Sequence, residues 1–295
     1  MLKRGQAQPL GAKALREYRD FAGDVAREAG AATLAYFRSQ DTRVDNKQAE
    51  TGGYDPVTLA DREAESIIRA RIEKVYPDHG ILGEEHGHED GQGLTWVIDP
   101  IDGTRSFIAG LLHWGVLVAL FDGERARIGA AYQPFIEELF LGNGNEASWQ
   151  RGGQQRRIAT RRCPSLTDAL LCTTDPTTMF KTRPELDAFR RVRAVTRLDR
   201  LGGDCYNYCV LAMGLVDLVI EACIKPYDIQ ALIPIIEGAG GVITTWSGKE
   251  ASMGGQIVAS GDPRLHELVL KILAPAADDG APAADGPPAA DGVLA

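Results

Sequence analysis

The sequence predicts a layered α+β fold, in which helices pack against sheets that are built largely from hairpins. An apolar repeat at helical spacing opens the chain over residues 10–38. Short apolar runs, separated by turns such as Asp122-Gly123, fill the region from 81 to 141, as expected for antiparallel strands. Beyond that region, strand-like and helical stretches alternate, which is typical of layered packing.

The first half of the chain is predicted to contain two helices followed by a series of strands. A polar loop over 39–54 separates the helix at 10–38 from the next one. Thr58, with Asp61 three residues later, predicts a capping-box start for the second helix, which ends before Pro77. Strands are expected at 81–82, 96–98, 114–121, 128–132 and 138–141.

The second half is predicted to mix strands and helices within one domain over 10–273, with sub-domains of roughly 10–150 and 151–273. Helices are expected at 203–214, 228–239 and 263–273. Strands are expected at 169–173, 192–195, 217–221, 242–245 and 257–260. A Pro-Ala-Ala-Asp-Gly theme then offers almost nothing to bury, so 274–295 is predicted to be a disordered tail, and 1–9 a flexible N-terminus.

Composition and charge narrow the class of protein. The 295 residues are 44% hydrophobic and 25% charged, which is ordinary for a globular protein that buries a core. A net charge of −9 argues against general nucleic-acid binding, which requires a basic face. The sequence has neither a signal pattern nor an apolar run approaching ~18 residues, so secretion and membrane insertion are not indicated. Five cysteines without a C-x-x-C pair fit unpaired thiols in a reducing cytosol.

Four acidic clusters stand at the ends of apolar segments. Taken singly, each has a structural explanation: Asp55 is a turn former, and Asp61 and Asp228 are helix caps. Glu85 is a solvated surface charge on the same reasoning. Together, carboxylates are costly to bring near one another unless a cation such as Mg²⁺ lies between them. The cluster members are Asp55, Asp61, Glu84, Glu85, Asp99, Asp102 and Asp228.

The stretch WVIDPIDGT carries the densest of these patterns. Asp99 and Asp102 fall on the same side of a tight turn that Pro100 stiffens, so two metal ions can share Asp99. Gly103 lets the backbone come close to a ligand, and the N–H groups of Gly103 and Thr104 can point at a phosphate. The stretch therefore predicts a site for metal and phosphate at the end of a buried strand.

Several motifs together resemble the inositol monophosphatase family. They are Gly-Glu-Glu at 83–85, WVIDPIDGT, and a late Tyr227-Asp228 pair before a helix that ends in Gly-Gly. The resemblance covers about 10–273 and implies a layered α-β-α-β sandwich of the sugar-phosphatase type. It also implies a lithium-sensitive phosphatase with two or three Mg²⁺ ions per active site. The expected protein is a cytoplasmic homodimer that takes a small phosphate ester and binds neither nucleic acid nor membrane.

The resemblance also implies roles for individual residues. Thr104 and Asp55 match the pair that orients the attacking, metal-activated water, and the backbone of Gly103 and Thr104 matches the phosphate site. Family members usually carry Trp where this chain has Tyr227, which leaves the metal role of Asp228 intact and alters the pocket wall. The expected metal ligands are Glu84, Asp99, the carbonyl of Ile101, Asp102 and Asp228.

Two further carboxylates bear on the choice of substrate. The family's substrate-contact region maps onto RLGGDCYNY, which contains Asp204, and onto Glu221. An extra carboxylate suits a cationic leaving group, since a hydrogen bond between charged groups contributes ~1.5–3 kcal/mol. Asp204 has a structural alternative as a helix N-cap. The motifs HGILGEEHG, GGDCYNY and KPYDIQALIPIIEGAGGVIT resemble the histidinol-phosphatase branch, which implies hydrolysis of L-histidinol phosphate in histidine biosynthesis.

Other activities of the family, and one non-catalytic role, are the alternatives. The nearest is an inositol-1-phosphate or broad sugar-phosphate phosphatase. Nucleotide phosphatases of the 3′-phosphoadenosine type and fructose-1,6-bisphosphatases would need basic residues for a second phosphate, and Asp204 and Glu221 argue against that. A non-catalytic binding relative would have lost a metal carboxylate or Thr104, and all of these are present.

Overall fold

The computed structural model describes residues 10–39, 44–47 and 56–278 of the chain. Over these residues the chain forms two large sheets, a short antiparallel pair and eight α-helices, none of which has the length and apolar character that a membrane crossing requires. The short pair consists of β1 (Val44–Asn46) and β2 (Pro56–Thr58). The helices are α1 (Ala12–Thr33), α2 (Leu59–Val75), α3 (Thr104–Ile108), α4 (Arg183–Arg193), α5 (Asp204–Ala212), α6 (Pro226–Ile229), α7 (Leu232–Gly238) and α8 (Pro263–Leu273).

The larger sheet is built mainly from hairpins. Its strands are β3 (Gly80–Gly83), β4 (Gly87–Glu89), β5 (Thr95–Asp102), β6 (Gly115–Phe121), β7 (Ala126–Gln133), β8 (Glu138–Gly142), β9 (Ala147–Arg151) and β10 (Gln154–Arg157). They lie in the order β10-β9-β8-β7-β6-β5-β3-β4. Each neighbouring pair is antiparallel except β3 and β5, which are parallel. The antiparallel hairpins predicted between 114 and 141 are confirmed.

The smaller sheet has five strands and mixed directions. Its strands are β11 (Leu170–Thr173), β12 (Leu198–Leu201), β13 (Leu218–Ile224), β14 (Val242–Thr245) and β15 (Gly255–Ser260). They lie in the order β12-β11-β13-β15-β14. β11 is parallel to both of its neighbours, whereas β15 is antiparallel to β13 and β14.

Helices and sheets stack in layers, as predicted. α1 and α2 cover one face of the larger sheet, where Ile68 and Trp96 are buried. α5 and α7 lie between the two sheets and bury Leu211 and Ile235. α4 and α8 pack on the outer face of the smaller sheet and bury Phe189. The predicted sandwich of alternating helical and sheet layers is confirmed, and α4 with α8 adds a fifth layer to it.

The predicted strand at 192–195 is wrong, because this segment is the end of helix α4 and the residues that follow it. Thr182 and Glu185 form a capping box, in which each backbone N–H donates to the other residue's side chain, at 2.8 and 3.3 Å. Ala188, Phe189 and Val192 are then buried at helical spacing. The valines raise β propensity only locally, whereas capping and packing of the whole segment favour a helix.

Residues 274–278, predicted to begin the tail, still pack on the protein. A 3-10 turn at Ala274–Ala276 follows α8, and Gln256 Nε2 donates to the Ala276 carbonyl at 3.2 Å. The N–H of Asp278 donates to Gln256 Oε1 at 2.7 Å. The rest of the predicted tail, and the predicted N-terminal segment 1–9, lie outside the described residues.

Candidate metal centre and substrate pocket

One cavity, lined by residues from both large sheets, gathers the residues that the sequence predicted for the site. Its wall includes the ends of β5 and β13, the residue that follows β3, the first residues of α3 and α5, and the last two residues of α6. Asp55 lies outside the described residues, and every other predicted site residue lines this cavity. They are Glu84, Asp99, Ile101, Asp102, Gly103, Thr104, Asp204, Glu221 and Asp228.

The end of β5 turns sharply at the cavity. Its pairing with β6 shifts register between Asp99 and Asp102, and the Ile101 N–H folds back to donate to Asp99 Oδ1 at 3.1 Å. Gly103 then adopts a φ of +84° before α3 begins. A Cβ at this position would lie 2.5 Å from the carbonyl oxygen of His113, so glycine is required for both conformation and space.

Three carboxylates converge in the cavity and form what we call the carboxylate cluster: Asp99, Asp102 and Asp228. One oxygen from each lies within 4.8 Å of the others. Backbone N–H groups hold two of them in place: that of Cys205 donates to Asp102 at 2.7 Å, and that of Lys225 donates to Asp228 at 2.7 Å. These donors come from the starts of α5 and α6, so both halves of the chain build the cluster.

Burial makes the charged form of this cluster costly. It is the main cause that raises the pKa of Asp99 and of Asp228 well above the usual value, and neighbouring carboxylates add to the effect. The pKa of Asp102 is raised to about 8, first by burial and then by the charge of Asp204. Buried oxygen ligands that repel one another fit a hard divalent cation, because the cation removes the repulsion.

Glu84 follows β3 and stands beside the cluster, where its charge helps to raise the pKa of Asp99. Lys47 Nζ lies 2.9 Å from Glu84 Oε1 and 2.5 Å from Glu85 Oε1. The Glu85 side chain is only 4% exposed, and burial raises its pKa to about 7. The prediction that Glu85 is a solvated surface charge is therefore wrong, because Lys47 covers it.

Asp61 contacts two residues, one through each carboxylate oxygen. Oδ2 accepts the N–H of Thr58 at 2.8 Å and its hydroxyl at 2.6 Å, which confirms the predicted capping box of α2. Oδ1 lies 3.5 Å from Thr104 Oγ1, which also donates to the Ile101 carbonyl at 3.1 Å. The sequence analysis explained Asp61, taken singly, as a helix cap within one of the acidic clusters, and it missed the contact with Thr104. Burial raises the pKa of Asp61 to about 6.

Asp204 projects its carboxylate into the cavity from the first residue of α5. The N-cap is Gly203, so the alternative role of Asp204 as an N-cap is wrong. Asp204 has a φ of +44°, and its Oδ2 accepts the hydroxyl of Ser106 at 2.8 Å. Burial raises its pKa, although Ser106, His113 and Arg105 act in the opposite direction. The hydrogen bond to Ser106 thus fixes Asp204 from the opposite half of the chain.

Glu221 is buried in β13 and held by neutral donors. Thr174 donates to its Oε1 through the backbone N–H at 3.0 Å and through the hydroxyl at 2.6 Å. The Tyr208 hydroxyl donates to Oε2 at 2.8 Å. Burial raises the pKa of Glu221 to about 7. Sequence reasoning missed Ser106 and Thr174, because each contacts its carboxylate only through long-range folding.

Comparisons with known sequences show which proteins the chain resembles. The profile of the inositol monophosphatase family matches residues 14–277. The chain is 40% identical over 266 residues to the chloroplastic bifunctional phosphatase IMPL2 of Arabidopsis thaliana, with 86% of this chain and 72% of that protein covered. It is 32% identical over 244 residues to a histidinol-phosphatase of Chlorobaculum parvum, with 80% of this chain and 89% of that protein covered.

A solved structure has the same fold. An inositol monophosphatase from Zymomonas mobilis superposes with a TM-score of 0.76 at 36% sequence identity. The superposition covers 88% of this chain and 99% of that protein. The histidinol-phosphatase and the inositol monophosphatase thus both carry phosphatase names, which refer to different alcohols.

Proposed function

The chain belongs to the inositol monophosphatase family, and from this premise we propose that it hydrolyses L-histidinol phosphate to L-histidinol and phosphate with Mg²⁺. One observation carries the choice of substrate. Asp204 and Glu221 line the same cavity as the carboxylate cluster, and their negative charges repel one another there. A cationic leaving group relieves that repulsion. Histidinol carries such a group in its amine, and its imidazole becomes another when protonated.

The proposed Mg²⁺ ligands are the carboxylates of Glu84, Asp99, Asp102 and Asp228 and the carbonyl of Ile101, which would hold two or three ions. Bound Mg²⁺ would supply positive charge to the phosphate oxygens and lower the pKa of a water molecule. The family resemblance extends the proposal to lithium sensitivity and to a cytoplasmic homodimer.

Thr104 and Asp61 are suited to move the proton of the attacking water. The Thr104 hydroxyl can accept that proton and pass its own to Asp61 Oδ1, which lies 3.5 Å away. With its pKa raised to about 6, Asp61 is a stronger base than an exposed aspartate and is still largely ionised near neutral pH. The role predicted for Asp55, orienting the attacking water, stays a prediction because Asp55 lies outside the described residues. The contact with Thr104 favours Asp61 for this role.

The phosphate and the alcohol meet different groups of the cavity. We propose that the backbone N–H groups of Gly103 and Thr104, at the start of α3, bind the phosphate, since both residues line the cavity. The water oxygen bonds to phosphorus as the ester bond to the histidinol oxygen breaks, and this oxygen takes up a proton from solvent to leave as the alcohol. Asp204 and Glu221 are proposed to hold the histidinol cation during this step, and the Ser106 hydrogen bond keeps Asp204 in position.

Phosphate release from L-histidinol phosphate and from myo-inositol 1-phosphate, at saturating Mg²⁺, tests the substrate. Asp204→Asn removes the charge alone, because Asn tolerates a positive φ and keeps an oxygen for Ser106. We expect kcat/KM for histidinol phosphate to fall about 10- to 100-fold, which corresponds to the ~1.5–3 kcal/mol of a charged hydrogen bond. Release from inositol phosphate should not fall in this variant.

Asp199→Asn is the matched control, because Asp199 pairs with Arg193 and does not line the cavity. It should leave both activities unchanged. A wild-type preference for inositol phosphate would contradict the proposal and favour a second candidate, an inositol-1-phosphate or broad sugar-phosphate phosphatase. The 36% identity to the Zymomonas mobilis inositol monophosphatase supports that candidate.

A further inference from the structure

The turn after Glu84 is held by a buried carboxylate of the neighbouring helix. Glu65 lies in α2, one turn after Asp61, and its side chain is 0% exposed. Its Oε2 accepts the backbone N–H of Glu85 at 2.7 Å, and its Oε1 accepts that of His86 at 3.0 Å. Both N–H groups belong to the turn between β3 and β4. Glu65 therefore fixes the backbone immediately after Glu84.

Arg69, one turn further along α2, completes this contact. Its Nε donates to Glu65 Oε1 at 2.7 Å, and its other two nitrogens donate to the Gly87 carbonyl at 2.5 Å and to Glu89 Oε1 at 2.7 Å. Arg69 Nε and the two backbone N–H groups of the turn thus give the buried Glu65 carboxylate three donors, which compensate the loss of its hydration. Glu65 and Arg69 together hold the turn through its N–H and C=O groups, and neither has a hydrogen bond or ion pair with the Glu84 side chain among the described residues.

Gly83 provides the space in which Glu65 reaches the turn. A Cβ at this position would overlap the carboxyl group of Glu65. Gly83 is absent from the positive-φ positions of the described chain, so glycine is needed here for space rather than for backbone conformation. The first residue of the Gly-Glu-Glu motif is therefore fitted to a carboxylate of α2.

From these contacts we infer that Glu65 is a positioning residue, which directs Glu84 towards the carboxylate cluster by fixing the backbone of the turn. The inference rests on the proposed Mg²⁺-dependent function, and Glu65 itself does not line the cavity. Both of its oxygens face N–H donors, so an amide at this position would set an NH₂ group against one of them. Partners that orient a metal ligand in this way typically change metal affinity about 10- to 100-fold.

Mg²⁺ binding by Glu65→Gln, measured by isothermal titration calorimetry, tests this role. We expect the Kd for Mg²⁺ to rise about 10- to 100-fold with an unchanged circular dichroism spectrum. Turnover should recover at high Mg²⁺, because Glu84 is retained. The Tm without Mg²⁺ separates a loss of stability from a loss of metal affinity. Glu89→Gln is the matched control, since it changes the same Arg69 network but no contact of the turn N–H groups, and it should bind Mg²⁺ as the wild type does.

An unchanged Kd in Glu65→Gln, or an equal change in Glu89→Gln, overturns the inference and leaves the proposed function standing. If Glu65→Gln does not fold, Glu65→Asp takes its place. That variant keeps the charge beside Arg69 but withdraws the carboxylate from the turn by one methylene group, and wild-type affinity there overturns the inference equally. A wild-type chain that binds no Mg²⁺ would overturn the proposed function and the role of Glu65 with it.

Discussion

Asp99 shows, at the scale of one residue, how a buried acidic site lowers the stability of the fold that contains it. It is 1% exposed, and its charge is repelled by Glu84, Asp102 and Asp228. No basic side chain is among the main influences on its pKa. Its buried charge therefore lowers the stability of the metal-free protein, as expected where a proposed function requires buried charge.

Asp99→Asn should lose nearly all turnover and yet stabilise the metal-free protein. The amide keeps an oxygen for the Ile101 N–H but carries no charge, so the repulsion within the carboxylate cluster decreases. We expect a higher Tm than the wild type in a chelator near neutral pH, no further rise with Mg²⁺, and turnover lower by orders of magnitude. Thermal scans with and without Mg²⁺, beside a phosphate-release assay, check this. Wild-type turnover in the variant would show that Asp99 holds no ion.

Whether the place of a residue in the site could be predicted depended on how far away in the sequence its contact partner lies. The residues of WVIDPIDGT stand next to one another, so their convergence could be predicted from the turn that they form. Thr104 meets Asp61 only after α2 has packed beside β5, and the capping of Thr58 already explained Asp61 locally. Glu65 gave no signal at all, because it reads as an ordinary charge on a helix.

At the scale of elements, we expect the turn from β5 into α3 to be sensitive to substitution. Gly103 combines a positive φ with a close approach to the His113 carbonyl. The turn also sets the directions of Asp102 on one side and of the Thr104 N–H on the other. A shift there would move a proposed metal ligand and a proposed phosphate donor together.

Gly103→Ala should cost more stability than Gly93→Ala, which is its matched control. Both positions have a positive φ near +80°, but a Cβ at Gly93 meets nothing within 4 Å. The control should therefore lose only the conformational term, about 1–2 kcal/mol, with activity unchanged. Gly103→Ala should lose more free energy of unfolding in urea and most of its turnover. Equal losses in the two variants would mean that the backbone moves away from His113 at no cost.

Elements with local signals were predicted, and elements that depend on distant partners were not. The hairpins of the larger sheet follow from turns of a few residues. β12 pairs in parallel with β11 across the whole of α4, so its own short, charged sequence gave no indication of a strand. The capping box at Thr182 did carry a local signal for α4, and the valines at its end obscured it.

At the scale of the whole molecule, the buried acids make stability depend on pH. Burial raises the pKa of Asp61 to about 6, of Glu221 to about 7 and of Asp102 to about 8. Groups with a raised pKa bind protons more tightly in the folded state, so the free energy of unfolding falls as pH rises towards the folded pKa. His266, whose pKa is lowered to about 4 by burial, acts in the opposite direction at lower pH.

The metal-free protein should therefore lose stability as pH rises from about 6.5 to about 8, a window above the usual pKa of histidine. Urea unfolding in a chelator at several pH values measures this slope. Mg²⁺ should reduce the slope, because a bound cation keeps the carboxylates ionised. Stability that increases with pH in the chelator would contradict the burial of these acids.

The groups proposed to bind the phosphate and those proposed to bind the alcohol come largely from different parts of the chain. Asp99 lies in β5 of the larger sheet, and Glu84 and Thr104 follow strands of that sheet. Asp204 belongs to α5, between the sheets, and Glu221 to β13 of the smaller sheet. Evolution can exchange residues on α5 and β13 to accept a new alcohol while the hydrolytic machinery stays the same. Such a division of labour accounts for a family in which one chemistry serves relatives named after histidinol and after inositol.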